Sequence, residues 1–214
     1  MVKRVNHIMK HSKQMILITQ WNNFKEIENP LIGKYKNMAN SVYTWVNIKC
    51  TDKETLKELN EKLTPLSGSY ETGTGVLGER FFDYTKDDWD SGAKNRECFG
   101  AKWMYCEQPE EHFEEDSISV MLHSAWNMPE RFILRLKDWL CARASDSMVW
   151  GNFEDEGIQP FGAFFYSQNK YYYQEVDHEV DYDKVWEDDE YRMKLDTMRI
   201  DLEEELYYKG ISKK

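Results

Sequence analysis

Val42, Thr44, Val46, Ile48 and Cys50 alternate with Tyr43, Trp45, Asn47 and Lys49. A strand turns successive side chains to opposite faces, so this stretch predicts a strand with its branched residues turned inward. Thr51-Asp-Lys-Glu54 follows with the spacing of a capping box, Thr51 as N-cap and Glu54 at N3. Leu56, Leu59 and Leu63 then recur at helical spacing until Pro65 closes the helix.

The pattern weakens over residues 67–97, which are rich in Gly and Asp and predict a loop or loose hairpin. Its GSYETGTG run lacks the GK[ST] ending of a phosphate loop. Alternation returns at Phe99 to Glu107, with Phe99, Ala101, Trp103 and Tyr105 on one side. After an acidic loop, Glu107 to Asp116, a third strand runs from Ser117 to Trp126. Ile118, Val120, Leu122 and Trp126 share one face of it, Met121 and His123 the other.

Asn127-Met-Pro-Glu130 predicts a helix start, Asn127 as N-cap and Pro129 in the first turn. Phe132, Ile133, Leu136 and Leu140 form its apolar stripe, with Arg131, Arg135 and Lys137 outward. Met148 to Phe153 reads as a strand, Glu154 to Gly157 as an acidic turn. Residues 162–167 and 170–174 pair as a hairpin through Gln168-Asn169. Residues 175–184 read as linker. Tyr191, Leu195, Met198, Leu202 and Leu206 mark a C-terminal amphipathic helix.

Strand, helix, strand, strand, helix, strand is the split β-α-β, or ferredoxin-like, order. The expected fold class is therefore α+β, an antiparallel sheet with two helices on one face, an appended hairpin and a C-terminal helix. Three parts are expected: an N-terminal extension over 1–37, a domain over 38–175, and an acidic tail with its helix over 176–214.

Charge narrows the partners. The chain carries a net −11. Residues 1–37 hold seven Lys/Arg against two acids, hence +5; residues 175–214 hold seven against fourteen, hence −7, which leaves −9 between them. A negative body repels phosphate at long range, so nucleic acid is disfavoured and a protein partner expected. No apolar run approaches the ~20 residues needed to span a bilayer, so no membrane partner is expected, and the start lacks a signal-peptide cleavage pattern. The four cysteines show no CxxC spacing, as for free thiols of a reducing cytoplasm.

Several short motifs resemble one family. Met38-Ala-Asn40 before the first strand, Gly100-Ala-Lys-Trp103, His123-Ser-Ala-Trp126-Asn-Met-Pro129 and Glu154-Asp-Glu-Gly157 resemble, in order and spacing, elements of the YubB ferredoxin-like domain proteins of phages and plasmids. The resemblance covers roughly residues 38–175. Phe99 departs from it, standing where the family often has Trp. It implies a phage- or mobile-element-borne accessory protein in the host cytoplasm. No reaction is implied, and the fold's name refers to chain topology.

Candidate chemistry is sparse. Cys98, Cys106 and His112 match no common zinc spacing; on one extended strand the two thiols would lie about 26 Å apart at ~3.3 Å per residue. Cys141 with His123 suggests a thiol nucleophile, but Cys141 adjoins the apolar stripe beside Leu140. The acids of residues 110–116 and 154–156 lack EF-hand spacing. No catalytic residue, metal or cofactor is expected. The candidate binding residues are aromatic: Tyr43, Trp45, Trp103, Tyr105 and His123, on the sheet face turned away from the helices. Left bare, they would stack bases as RNA-recognition sheets do. Covered by 1–37 or 185–208, they would form a second core. The expected function is non-enzymatic binding of a host or phage macromolecule, with inhibition of a host defence or nucleic-acid-binding protein as one form. The alternative is single-stranded nucleic-acid binding.

Overall fold

The strand with the clearest alternation sits at the centre of the molecule. In the computed structural model, which describes residues 40–67, 69–112, 115–156, 160–176 and 180–212, strand β1 (Ser41–Lys49) pairs on both sides. The described residues belong to the unit Ala39–Lys214; the expected extension 1–37 lies outside them.

Among the described residues, eight strands form one antiparallel sheet. They are β1, β2 (Glu71–Gly73), β3 (Met104–Glu107), β4 (Glu110–His112), β5 (Ser117–Ala125), β6 (Met148–Asp155), β7 (Phe161–Ser167) and β8 (Tyr171–Val176). Their order is β2-β3-β5-β1-β6-β7-β8, with β4 also paired to β5. The class is thus α+β, with a sheet larger than the expected one. The 168–169 turn carries the hairpin into this same sheet rather than leaving it appended.

Helices α1 (Lys53–Leu63), α2 (Thr74–Phe81), α3 (Gly92–Phe99) and α4 (Glu130–Cys141) contribute to one apolar core. Val42, Val46 and Ile48 of β1 meet Leu56, Leu59 and Leu63 of α1 there, with Phe132, Ile133, Leu136 and Leu140 of α4. Burial of these side chains supplies the main favourable contribution to folding.

Local expectations fail where loop-like composition hides helix. Residues 67–97 hold α2 and most of α3, because Leu77, Phe81 and Phe99 find core partners. Phe99 therefore ends a helix instead of opening a strand. Gly100 caps it at φ 84°, a left-handed conformation that glycine adopts without Cβ strain. Asp52, not Thr51, caps α1, accepting the Glu54 amide at 3.2 Å. Asn127 does not cap α4; Pro129 occupies that place without a side-chain cap. Trp126 leaves the strand face, at φ 68° and 51% exposed. Glu154 and Asp155 are no turn: both end β6 and are buried. The acidic loop contains β4, and the expected linker contains the end of β8 and the start of helix α5 (Tyr182–Glu187).

The second face of the sheet is covered in part by the C-terminal segment, one of the two expected outcomes for that face. Helices do not keep to one side. The long C-terminal helix α6 (Asp189–Ile211) packs across β6 and β7, where Leu202 and Leu206 meet Ala163 and Phe165. Gly210 permits this approach, since a Cβ there would stand 2.4 Å from the Phe165 ring. Among the described residues no helix is long and apolar enough to cross a membrane.

Candidate functional site

Register places the five aromatic candidates in one row. Tyr43 of β1 lies opposite His123 of β5, which lies opposite Tyr105 of β3. Ring centroids are 5.0 Å apart for Tyr43–His123 and 6.3 Å for Tyr105–His123. Trp103, just ahead of β3, stacks on Tyr105 at 4.9 Å, and Trp45 stands 6.5 Å from Tyr43. All five side chains are half-buried. His123 Nε2 lies 2.7 Å from Glu107 Oε1, a carboxylate partner the sequence does not point to. Burial, then the charges of Glu156 and Glu154, pushes the Tyr43 phenol up to about 12. Burial also raises that of Tyr105, aided by Glu71.

One end of the row is sealed. Arg199 of α6 sets its guanidinium carbon 4.2 Å from the Trp45 ring centroid. That Arg is only 2% exposed and heads a polar network. Its Nε lies 3.3 Å from Glu154 Oε2, and its Nη2 3.2 Å from Asp196 Oδ1. Arg199 Nη1 also donates to Asn152. Arg192 meets Glu154 Oε1 at 2.8 Å. Glu203 accepts from Asn47 Nδ2 at 3.0 Å and from Asn152. Buried charges persist only when paired in this way. Trp45 is thus part of the joint between sheet and helix, as a covering 185–208 segment would make it.

Other candidate sets are not assembled. His123 faces α6's side of the sheet, while Cys141 sits on α4 across it. Cys106 is fully buried, and burial raises its thiol pKa. Among the described residues no group of three or more His, Cys, Asp or Glu could hold a metal ion.

A cleft of about 320 Å³ opens at the start of α4, and sequence reasoning did not find it. Val42, Met128 and Phe153 are its buried lining; Trp126, Tyr173, Glu130, Arg131 and Glu175 border it. Hydrogen bonds fix the turn that presents Trp126. Its amide donates to Asn40 O at 2.9 Å, the Ala125 amide to Trp103 O at 3.1 Å, and Ser124 Oγ to Asn127 O at 2.8 Å. A bulky residue rarely tolerates positive φ, and such strain gathers at ligand-contacting positions. Tyr173 stacks on Phe153 at 5.8 Å and donates to Glu175 Oε2 at 2.7 Å. Glu130 Oε1 accepts from Tyr166 at 3.2 Å and from Tyr171. Burial and these carboxylates raise the phenol pKa values of Tyr166 and Tyr173. The one available signal was Trp126 between a strand's end and a proline; its placement on the strand face concealed it.

Comparison of the chain with protein families, with curated proteins and with solved structures finds no match in any of the three.

Proposed function

We propose that the chain is a non-enzymatic accessory protein of a phage or mobile element that acts in the host cytoplasm by docking another protein. Two observations support this reading. The order β3-β5-β1-β6 within the larger sheet, with α1 and α4 contributing to one core, supports a ferredoxin-like reading of this part of the chain. Three of the motifs that resemble YubB-type proteins fall on structurally marked positions: Gly100 at positive φ, Trp126 at positive φ, and Glu154 in the buried network.

The observation that carries the reading is Trp126. A half-exposed indole, held in a left-handed conformation by backbone hydrogen bonds at the mouth of an apolar-lined cleft, has the features of an interface anchor. In-cell crosslinking of tagged wild-type and Trp126→Ala chains tests it. A protein recovered with the first and lost with the second is expected; identical recoveries would remove the basis for this reading.

A second reading, single-stranded nucleic-acid binding, rests on the continuous row Tyr43, His123, Tyr105 and Trp103. The net −11 opposes it, and Trp45 is already engaged by Arg199. Low-salt filter binding that drops with Tyr105→Ala would favour it; unchanged retention would end it.

A further inference from the structure

Within the docking reading, on which this step rests, the cleft's chemistry selects its occupant. We infer that the cleft at the start of α4 receives an arginine side chain of the partner, its guanidinium lodged between aromatic rings and carboxylates.

Three observations converge. First, the rings are suited to a cation. Trp126 is 51% exposed and Tyr173 39%, and Trp126 already attracts the Lys102 ammonium to 5.3 Å from its ring centroid. Guanidinium groups prefer such rings, above all indole.

Second, the cleft has unused negative charge. Both hydrogen bonds to Glu130 end on its Oε1, and the Tyr173 hydroxyl takes only Oε2 of Glu175. Among the described residues, Oε2 of Glu130 and Oε1 of Glu175 thus remain for an incoming donor. A planar, five-donor fork meets carboxylates at such positions better than a point charge does. Arg131 borders the same cleft but does not satisfy them: its Nη1 donates to Glu97 O at 2.7 Å, on α3.

Third, size and field agree. About 320 Å³ sits at the small end of ligand sites and fits one long side chain rather than a folded element. The chain's net −11 draws basic segments towards it.

The test titrates the full chain, uniformly labelled with nitrogen-15, with an acetylated and amidated Gly-Leu-Arg-Leu-Gly peptide and its lysine and citrulline counterparts. Citrulline keeps the shape of arginine and removes the charge. Trp126→Phe assigns the indole resonance. We expect the arginine peptide to shift the Trp126 indole signal saturably. The citrulline peptide should bind about tenfold more weakly, the scale of one desolvated cation–π contact together with its ion pair. Lysine should fall between them. Glu175→Gln, at an exposed position, should weaken the arginine peptide several-fold and leave the thermal midpoint unchanged.

Equal binding of arginine and citrulline, or no response at Trp126, overturns the inference. A photo-crosslinker at position 126 then separates the two levels. An adduct on a partner segment without arginine sinks this inference and keeps the docking reading. No adduct in cells that carry the element, together with a silent titration, sinks both.

Discussion

The two faces of the central sheet are closed by different physics. On one, Leu56, Leu136 and their neighbours from four helices shut out water mainly with hydrocarbon, and its buried polar groups are uncharged, such as Thr74 and Asn95. On the other, α6 is fastened partly by apolar contact at Phe165 and partly by the Arg199–Glu154–Glu203 network. Apolar closure tolerates volume-conserving exchange, because any well-packed set of similar size serves. Ionic closure does not, because each buried group depends on its partner. The first face gives most of the stability. The second specifies where one helix must lie.

Removing one partner from the ionic side should have the largest effect. Arg199→Ala leaves Glu154 with Arg192 alone and removes the donor to Asn152, through which Glu203 is tied in, and a loss of about 3–5 kcal/mol is expected in urea unfolding. Arg199→Met combined with Glu154→Gln removes opposite charges together and should recover more than half of that loss. A double variant as unstable as the single one would mean that packing of the Arg stem, rather than unpaired charge, governs this face. The contrast would then collapse.

On the apolar side, Leu136→Ala should cost about 2–5 kcal/mol through lost transfer energy and a cavity, whereas Leu136→Met should cost less than about 1.5 kcal/mol. Matching losses for the two would show that shape, not hydrophobicity, controls this layer. A smaller change is expected where the apolar layer opens at the cleft. Trp126→Gly should raise stability by about 1 kcal/mol, since glycine carries no penalty at φ 68°. Destabilisation instead would place the indole in the fold rather than at a binding surface.

The subtlest effect is in alkali. Tyr43 titrates near 10 when unfolded and at about 12 in the fold. Its contribution is complete below pH 10 and is lost as pH rises towards 12, because the unfolded chain releases that proton first. Burial raises several other phenols as well, among them Tyr105, Tyr166 and Tyr173, so ultraviolet titration should show a group of late-ionising phenols that loses one member, near pH 12, in Tyr43→Phe. A Tyr43 that ionises with the surface tyrosines would imply that the aromatic row is wetter than its burial indicates.

Legibility from sequence followed the same division. Period-2 alternation revealed β1, and 3.6 periodicity revealed α1 and α4, because each turns one clean side to hydrocarbon. Helices α2 and α3 stayed hidden. Their glycines and the aspartates between them look like loop, and their helicity depends on Leu77, Phe81 and Phe99 reaching a core assembled elsewhere. The stripe of α6 was visible in Leu195, Leu202 and Leu206. Its charged half was not, since Arg199 and Glu203 look like solvated surface until their partners from β1 and β6 are known. The aromatic row followed from strand parity. The cleft did not, because it depends on the backbone sign at Trp126, to which hydrophobic patterning is blind.

The position of β1 has a consequence for biosynthesis. It is the first described strand to leave the ribosome, yet both of its neighbours, β5 and β6, lie far downstream. At ~5–20 residues per second, the nascent segment 41–49 waits on the order of ten seconds before residue 155 has been made. During that interval its edges are unsatisfied and its valines bare. Chaperone capture of stalled nascent chains should therefore peak at lengths that expose this segment and subside once β6 has emerged.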